Sequence, residues 1–301
     1  MTRRRCPYRP RAASGFTLVE VMVAMAIGLA VVGALVAACA SAFASGRRTD
    51  ALVQITEDAA LALDVMRQQV AQAGFSQLHG TAGGAVVRRR FVAVAGCEAA
   101  NFKDLNVGIL EPANCNAGAA DPAAPDALEI AFEATVLPAG ASNGILGGPG
   151  GAQPLDCLGN SFAKIHDDAS GDDYWLNDSK FYLAEGNLYC HGPGNAAGAA
   201  LVQNVEDLQI AYGMAAAPAG EPGAGRVTHY GTAPPPGSAG WATVLSVHLC
   251  VQVRSADRVM DKTLAETLGG WIDCRNARRT VGDGYLRRSF ATTIVLHDRL
   301  P

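Results

Sequence analysis

The sequence predicts an α+β fold in which a long N-terminal membrane-spanning helix packs on an antiparallel β-sheet head with loops pinned by disulfides. An uncharged apolar run, Val21–Ala44, precedes a stripe of apolar residues at helical spacing. Beyond the stripe, short alternating segments are separated by stretches rich in glycine and proline, and six of the eight cysteines are spread among them. The run and the stripe predict the helix, the alternating segments predict the sheet, and the cysteines predict disulfides.

The run Val21–Ala44 is long enough to cross a membrane. Its 24 residues span more than a hydrocarbon layer of about 30 Å at 1.5 Å per residue. Five arginines precede it without any acidic residue: Arg3, Arg4, Arg5, Arg9 and Arg11. Because positively charged flanks stay in the cytoplasm, we expect a cytoplasmic N-terminus, with everything after about residue 45 outside.

The order of features around Gly15 differs from that of an ordinary secretory signal, whose apolar stretch comes before its cleavage site. Here the small residues Ala12–Gly15 come first, so cleavage there would leave the apolar run on the mature protein. A plain membrane anchor with a basic flank is the alternative. Glu20 argues against that anchor, since an ionisable group beside a membrane segment is costly and is usually paired or functional.

Cleavage after Gly15 would create a positive charge that can pair with the carboxylate of Glu20. A chain beginning at Phe16 has its α-amino group four residues, about one helical turn, before Glu20. The two charges can neutralise each other within one chain or between adjacent chains. Pairing between chains would set a fixed axial stagger in a filament.

The helix is predicted to continue beyond the membrane. Apolar residues recur at spacings of three and four, which is typical of one helix face: Leu52, Ile55, Ala59, Leu63, Met66 and Val70. Gly74 is the predicted stop. Phe16–Ala73 would then form one helix of 58 residues, roughly 87 Å long, whose stripe packs on the sheet as core.

The remaining segments predict strands. The best of them are β-branched or alternate between apolar and polar residues: Val86–Val94, Leu128–Val136, Leu208–Tyr212, Val247–Val253 and Phe290–Leu296. Phe181–Leu183 and Leu188–Cys190 flank an Ala-Glu-Gly-Asn turn and predict a hairpin. Loops are expected where glycine and proline concentrate: Pro138–Pro154, Gly192–Ala200 and Ala215–Gly240.

Six cysteines follow the membrane run: Cys97, Cys115, Cys157, Cys190, Cys250 and Cys274. Their even number and irregular spacing, without a Cys-x-x-Cys pair, favour disulfides in an oxidising compartment over a zinc site. Of the 15 possible pairings, we favour nearest neighbours, Cys97–Cys115, Cys157–Cys190 and Cys250–Cys274. Cys6 and Cys39 have no obvious partner.

The mature chain is predicted to be acidic. Loss of the five leader arginines reduces 24 basic side chains to 19, against 28 acidic ones, a formal charge of −9. This excess argues against general binding to nucleic-acid phosphates, so we expect protein or membrane partners. We interpret Arg88–Arg90 and Arg287–Arg288 as charges at strand edges.

The sequence contains no pattern that indicates an enzyme. It lacks a Gly-x-Ser-x-Gly motif, a spaced Ser/His/Asp set and the His-Glu-x-x-His zinc motif, so we expect neither catalysis nor a cofactor. Four carboxylates around a glycine form a weak calcium candidate: Asp167, Asp168, Asp172 and Asp173. Because the EF-hand spacing is absent, we favour a solvated acidic turn.

The segment Gly15-Phe16-Thr17-Leu18-Val19-Glu20, with its apolar helix, resembles the class III signal of type IV pilins and type II secretion pseudopilins. The resemblance implies cleavage after Gly15 by a prepilin peptidase, N-methylation of Phe16, and Glu20 as the glutamate that sets filament register. Many pilins carry a proline in the membrane helix, whereas this helix has Gly28 and Gly33.

Three further segments resemble PilW-type minor pilins: residues 69–75, 201–213 and 283–296. The resemblance implies a cleaved leader over 1–15, a transmembrane half-helix over 16–45, an amphipathic half-helix over 46–75 and an α+β head over 76–301. The head would lie in the periplasm on a single inner-membrane span, and would reach the cell surface within a pilus.

The expected function is therefore that of a minor pilin that helps to initiate or cap a type IV pilus. Its expected partners are other minor pilins and the major pilin, the prepilin peptidase, the inner-membrane assembly platform and membrane lipid. The alternatives are a J-type pseudopilin of a type II secretion system, a tip adhesin or DNA-uptake subunit that uses loops 138–154 or 215–240, and a membrane-tethered enzyme.

Overall fold

The computed structural model describes residues 15–80, 84–89, 91–108, 114–116, 121, 123–135, 153–168, 170–195, 197–218, 221 and 223–299. The leader before Gly15 and most of the predicted loop Pro138–Pro154 lie outside these residues. The chain divides into two compact units, Met1–Thr49 and Asp50–Pro301.

Helix α1 extends over Leu18–Gln72, and its 55 residues agree closely with the predicted helix. It is long and apolar enough to cross a membrane. The helix ends where predicted, because Gly74 adopts the left-handed conformation at φ 83° and its N–H donates to the carbonyl of Ala131, 2.9 Å away.

The buried stripe of α1 differs from the predicted one. Leu52 and Leu63 are only half-buried, while the buried residues are Ala51, Ile55, Ala59, Ala62, Met66, Gln69 and Val70. Ala51 and Ala62 are buried where the adjacent Leu52 and Leu63 were expected to be. Spacing alone did not separate these adjacent positions.

The head begins with a small ladder and a larger sheet. Strands β1 (Leu78–Gly80) and β2 (Val86–Arg88) pair antiparallel. The larger, six-stranded sheet is also antiparallel, with the order β3-β4-β6-β7-β8 and β5 paired to β6. Its strands are β3 (Val94–Cys97), β4 (Ala127–Ala134), β5 (Ile165–Asp167), β6 (Asp172–Ala184), β7 (Asn187–His191) and β8 (Ala199–Gln203).

The alternation of apolar and polar residues along β4 does not leave one face exposed, because all eight of its residues are buried. Leu128 and Ile130 join the main core with Ile55 and Met66 of α1. On the other face, Glu129 is buried beside a lysine of β6. The predicted hairpin is confirmed, since β6 and β7 pair around Glu185 and Gly186.

The C-terminal sheet has four antiparallel strands in the order β10-β9-β11-β14. Its strands are β9 (Val205–Met214), β10 (His229–Gly231), β11 (Val244–Arg254) and β14 (Arg287–Val295). A short helix, α2 (Lys262–Leu268), and a hairpin of β12 (Trp271–Ile272) with β13 (Arg278–Arg279) lie between β11 and β14 in the chain. One core cluster combines residues of α1 and of both sheets.

Three disulfides each join a strand to a neighbouring loop. Cys97 of β3 bonds to Cys115, Cys190 of β7 to Cys157, and Cys250 of β11 to Cys274. These are the nearest-neighbour pairs that the sequence predicts. Cys39 is free and exposed on α1.

Candidate functional site

The N-terminal junction is organised around Thr17 and Glu20. Thr17 immediately precedes the first residue of α1, and its Oγ1 accepts a hydrogen bond from the N–H of Glu20 at 3.3 Å. Glu20 Oε2 in turn accepts from the N–H of Thr17 at 2.9 Å and from Thr17 Oγ1 at 3.0 Å. This reciprocal arrangement is a capping box, which satisfies two helix N–H groups that have no partner within the helix.

The capping box shows how the helix tolerates a carboxylate beside an apolar run. The positive end of the helix dipole favours a negative charge in the first turn, and the two N–H groups are satisfied locally. This role of Glu20 was not predicted, although the pattern Thr-x-x-Glu in Thr17–Glu20 indicates it.

The first half of α1 presents an exposed apolar surface. Phe16 and Leu18 are 87% and 77% exposed, and no residue in the most apolar part of α1 is buried. Alanines and glycines are interspersed among larger residues along Val21–Ala44. Such a helix can be covered by lipid or by neighbouring helices, which small residues allow to approach closely.

Arg89 does not lie at a strand edge exposed to solvent. The interpretation of Arg88–Arg90 as charges at strand edges is therefore wrong for this residue. Its side chain is only 8% exposed. The guanidinium pairs with Glu133 at 3.2 Å and with Asp167 at 3.0 Å, and it lies over the ring of Tyr174. The carboxylates compensate the charge, which is why burial is tolerated.

Arg287 contradicts the same interpretation in the second cluster. It pairs with Glu206 and with Asp283, each at 2.6 Å, and its side chain is 9% exposed. The hydrogen bond from Arg287 holds the pKa of Asp283 below its ordinary value. This group links β9 to β14 and is structural.

The four carboxylates of the calcium candidate bind side chains of this chain instead of forming a shared site. Asp167 accepts from Arg89 and from Ser170, while Asp173 contacts His166 at 2.8 Å. The hydrogen bond to Asp173 raises the pKa of His166. In the part of the chain that the structure describes, no group of His, Cys, Asp and Glu is arranged to hold a metal.

A buried ion-pair cluster on β4 and β6 was not predicted. Lys180 is 1% exposed, and its Nζ lies 2.8 Å from Glu129 and 3.0 Å from Asp178. Two carboxylates thus share one lysine. Burial and the charge of Asp178 raise the pKa of Glu129 to about 8. Lys180 keeps its charge because both carboxylates oppose the effect of burial on its pKa.

Two family models match the sequence. Residues 10–36 match the prokaryotic N-terminal methylation motif, and residues 173–298 match type IV pilus-assembly protein W, PilW. The chain is a pilin-like protein with a PilW-type domain. This confirms the resemblance inferred from the sequence, and two of its three PilW-like segments, 201–213 and 283–296, lie inside the PilW match.

The PilW-type domain begins within β6 and includes the whole four-stranded sheet. Among solved structures, a type IV-like pilin, TTHA1219 from Thermus thermophilus, is 11% identical, covers 82% of this chain and 98% of its own, and has a TM-score of 0.36. The GspK-GspI-GspJ complex of the type 2 secretion system of enterotoxigenic Escherichia coli is 9% identical, with coverages of 79% and 96% and a TM-score of 0.31. No curated protein matches the chain.

Proposed function

We propose that this chain is a minor pilin of a type IV pilus, held in the inner membrane by α1 and helping to initiate or cap pilus assembly. The observation that carries the proposal is the junction, where a methylation motif, a capped carboxylate and an uncovered apolar helix follow one another within 10–36. The proposed parts are a leader over 1–15, a membrane half-helix over 16–45, an amphipathic half-helix over 46–75 and a periplasmic head over 76–301.

The capping box supports a register role for Glu20 after cleavage. Both hydrogen bonds that its carboxylate accepts from the described residues use Oε2, so Oε1 can receive a further donor. Cleavage after Gly15 and methylation of Phe16 would place a positive amine one residue before Thr17. That amine can pair with Glu20 of its own chain or of a neighbour, and pairing with a neighbour fixes the axial offset between subunits.

The rest of the proposed role is mechanical. Apolar packing along Val21–Ala44 would hold the chain among other pilins in the membrane and in the filament. The head, with its disulfide-closed loops, would determine which minor or major pilins fit beside it. The prepilin peptidase and the inner-membrane platform are the proposed partners before assembly.

The test has two stages. Mass spectrometry of the N-terminus of the membrane-extracted protein should show a chain beginning at a methylated Phe16, and an intact leader would reject the whole class. Deletion of the gene should then lower the number of surface pili while pilin synthesis continues. Normal piliation with loss of a secreted enzyme in the deletion strain would assign the chain to a type II secretion system instead.

A further inference from the structure

A pocket of about 350 Å³ lies between the hairpin β12–β13 and strand β14. This volume is near the lower end of the range for ligand-binding pockets. Its lining combines backbone, apolar and cationic groups: Gly270, Trp271, Ile272, Arg278, Arg288 and Ser289. We call this the hairpin pocket.

The hairpin pocket has firmly held walls. The disulfide Cys250–Cys274 ties the hairpin loop to β11. Trp271 Nε1 donates to Gln252 Oε1 at 2.7 Å, and Ser289 Oγ donates to the carbonyl of Ile272 at 2.8 Å. Contacts to two strands thus hold the hairpin against the sheet, so the pocket is formed before any ligand arrives.

The charge of the hairpin pocket is uncompensated. Neighbouring arginines are paired, Arg279 with Asp273 at 2.7 Å and Arg287 with Glu206 at 2.6 Å. By contrast, among the residues that the structure describes, none that lines the pocket is acidic, and none forms an ion pair with the pocket's own arginines at 278 and 288. Two guanidinium groups in one concave site suit a carboxylate or phosphate, which arginine binds through paired N–H donors.

Strand geometry explains why, in each pair of adjacent arginines, one forms an ion pair with a described residue and the other does not. Arg278 and Arg279 are adjacent on β13, and Arg287 and Arg288 are adjacent on β14. Successive side chains of a strand point to opposite faces. One member of each pair therefore reaches a carboxylate of its own chain, and the other lines the pocket.

We propose that the hairpin pocket binds an acidic side chain of an extended segment from a partner subunit. Strand β14 ends the four-stranded sheet, and no strand in the described residues pairs with its outer edge. An extended peptide can add to such an edge through main-chain hydrogen bonds, and Ile272, which is 52% exposed, offers an apolar contact beside the arginines. The acidic excess of the chain disfavours a polyanion such as nucleic acid.

This inference rests on the proposed function only in taking the partner to be a pilin subunit, and its test is made with the purified protein. Full-length chain in a neutral detergent is titrated into a fluorescent hexapeptide of alternating valine and glutamate, blocked at both ends. The control peptide replaces every glutamate with glutamine. The variants are Arg278→Gln with Arg288→Gln, and Arg226→Gln as a control, since Arg226 is exposed in the loop before β10 at the opposite edge of the sheet.

We expect the glutamate peptide to bind at least about tenfold more tightly than the glutamine peptide, because charge-assisted hydrogen bonds are lost with the carboxylates. The double variant should lose this preference, and Arg226→Gln should keep it. Equal binding of both peptides, or a preference that survives in the double variant, would overturn the proposal. Displacement of the peptide by inorganic phosphate, but not by acetate at the same concentration, would reassign the pocket to a phosphate ligand and overturn it as well.

These outcomes leave the minor-pilin role untouched. A chain that lacks the peptide preference but carries a methylated Phe16 and supports piliation would fail this inference alone. A chain with an intact leader that still binds the glutamate peptide would fail the proposed function alone.

Discussion

Asn177 of β6 donates a hydrogen bond through Nδ2 to Oε1 of Gln69 on α1, across 3.0 Å. Both side chains are buried, with 1% and 0% of their surface exposed. The Oδ1 atom of Asn177 accepts in turn from Ser179 Oγ at 2.9 Å. Because an unpaired amide is costly where water is excluded, this bond specifies the axial position of the second half of α1 on the sheet.

Replacing Gln69 with leucine should lower the free energy of unfolding by about 1–3 kcal/mol, because Asn177 Nδ2 is then left buried without its acceptor. Urea denaturation of the full chain in detergent measures this. Gln54→Leu, at an exposed position of the same helix, is the control and should change stability by less than about 0.5 kcal/mol. Equal effects at both positions would show that the bond does not stabilise the head.

Variants at the junction separate the charge of Glu20 from its capping role. Glu20→Gln keeps an oxygen for the Thr17 N–H but removes the charge, so we expect normal leader cleavage and a strong loss of surface pili. Thr17→Val removes the side-chain cap, at a cost of about 1 kcal/mol to the helix end, and should keep pili. Immunoblots of leader processing and pilus counts test both.

The register role of Glu20 would be contradicted by normal pilus numbers in Glu20→Gln. Loss of pili in Thr17→Val with intact cleavage would instead point to the helix cap as the property that assembly needs.

Glu129 should make the head less stable as pH rises. Its pKa is about 8 in the folded protein, against 4.5 for an unperturbed glutamate. Between these values the folded state keeps a proton that the unfolded state releases, so the free energy of unfolding falls with increasing pH. Glu129→Gln removes this contribution and should flatten the profile between about pH 4.5 and 8.

Thermal unfolding at intervals over this pH range compares Glu129→Gln with Glu57→Gln, which changes an exposed carboxylate of α1. Parallel profiles for the wild type and Glu129→Gln would contradict the raised pKa.

Substitutions of two adjacent arginines of β14 should have very different effects on the free energy of unfolding. Arg287→Ala removes the partner of Glu206 and Asp283 and should cost about 2–3 kcal/mol, less than for a fully buried pair because both carboxylates are about a quarter exposed. Arg288→Ala, in the hairpin pocket, should cost less than about 0.5 kcal/mol. Urea denaturation near neutral pH measures both.

The Arg287→Ala effect should also depend on pH. The folded-state pKa of Asp283 lies below 3.8, so the stability that this pair contributes is present above that pH and is lost as the pH falls through the lowered pKa. A difference from the wild type that stays constant down to the acid transition would contradict the pairing.

Features that depend on neighbouring residues were predictable from the sequence. The helix was predicted from its composition and spacing, and the β6–β7 hairpin from a four-residue turn. The favoured cysteine pairs all close short loops, with separations of 18, 33 and 24 residues. The capping box was equally local and was missed only because Glu20 was considered as a charge and not as a hydrogen-bond acceptor.

Features that depend on distant partners were not predictable in this way. Arg287 and Glu206 are 81 residues apart, and only the pairing of β9, β11 and β14 brings them together. A strand pattern shows which residues share a face, but it does not show which strand lies next to which. Strands β5, β8 and β10 were also missed, since three to five residues are too few to establish an alternation.

The three disulfides have a mechanical consequence for a subunit that is pulled. None of them involves α1, so tension entering the head from the helix is borne by the buried contacts of Ile55, Met66 and Val70 and by the bond between Gln69 and Asn177. The residues between two bonded cysteines cannot extend fully under load. A stretched head would therefore lengthen by less than its residue count allows, and the contacts between α1 and the sheet, which none of these disulfides reinforces, would carry the load.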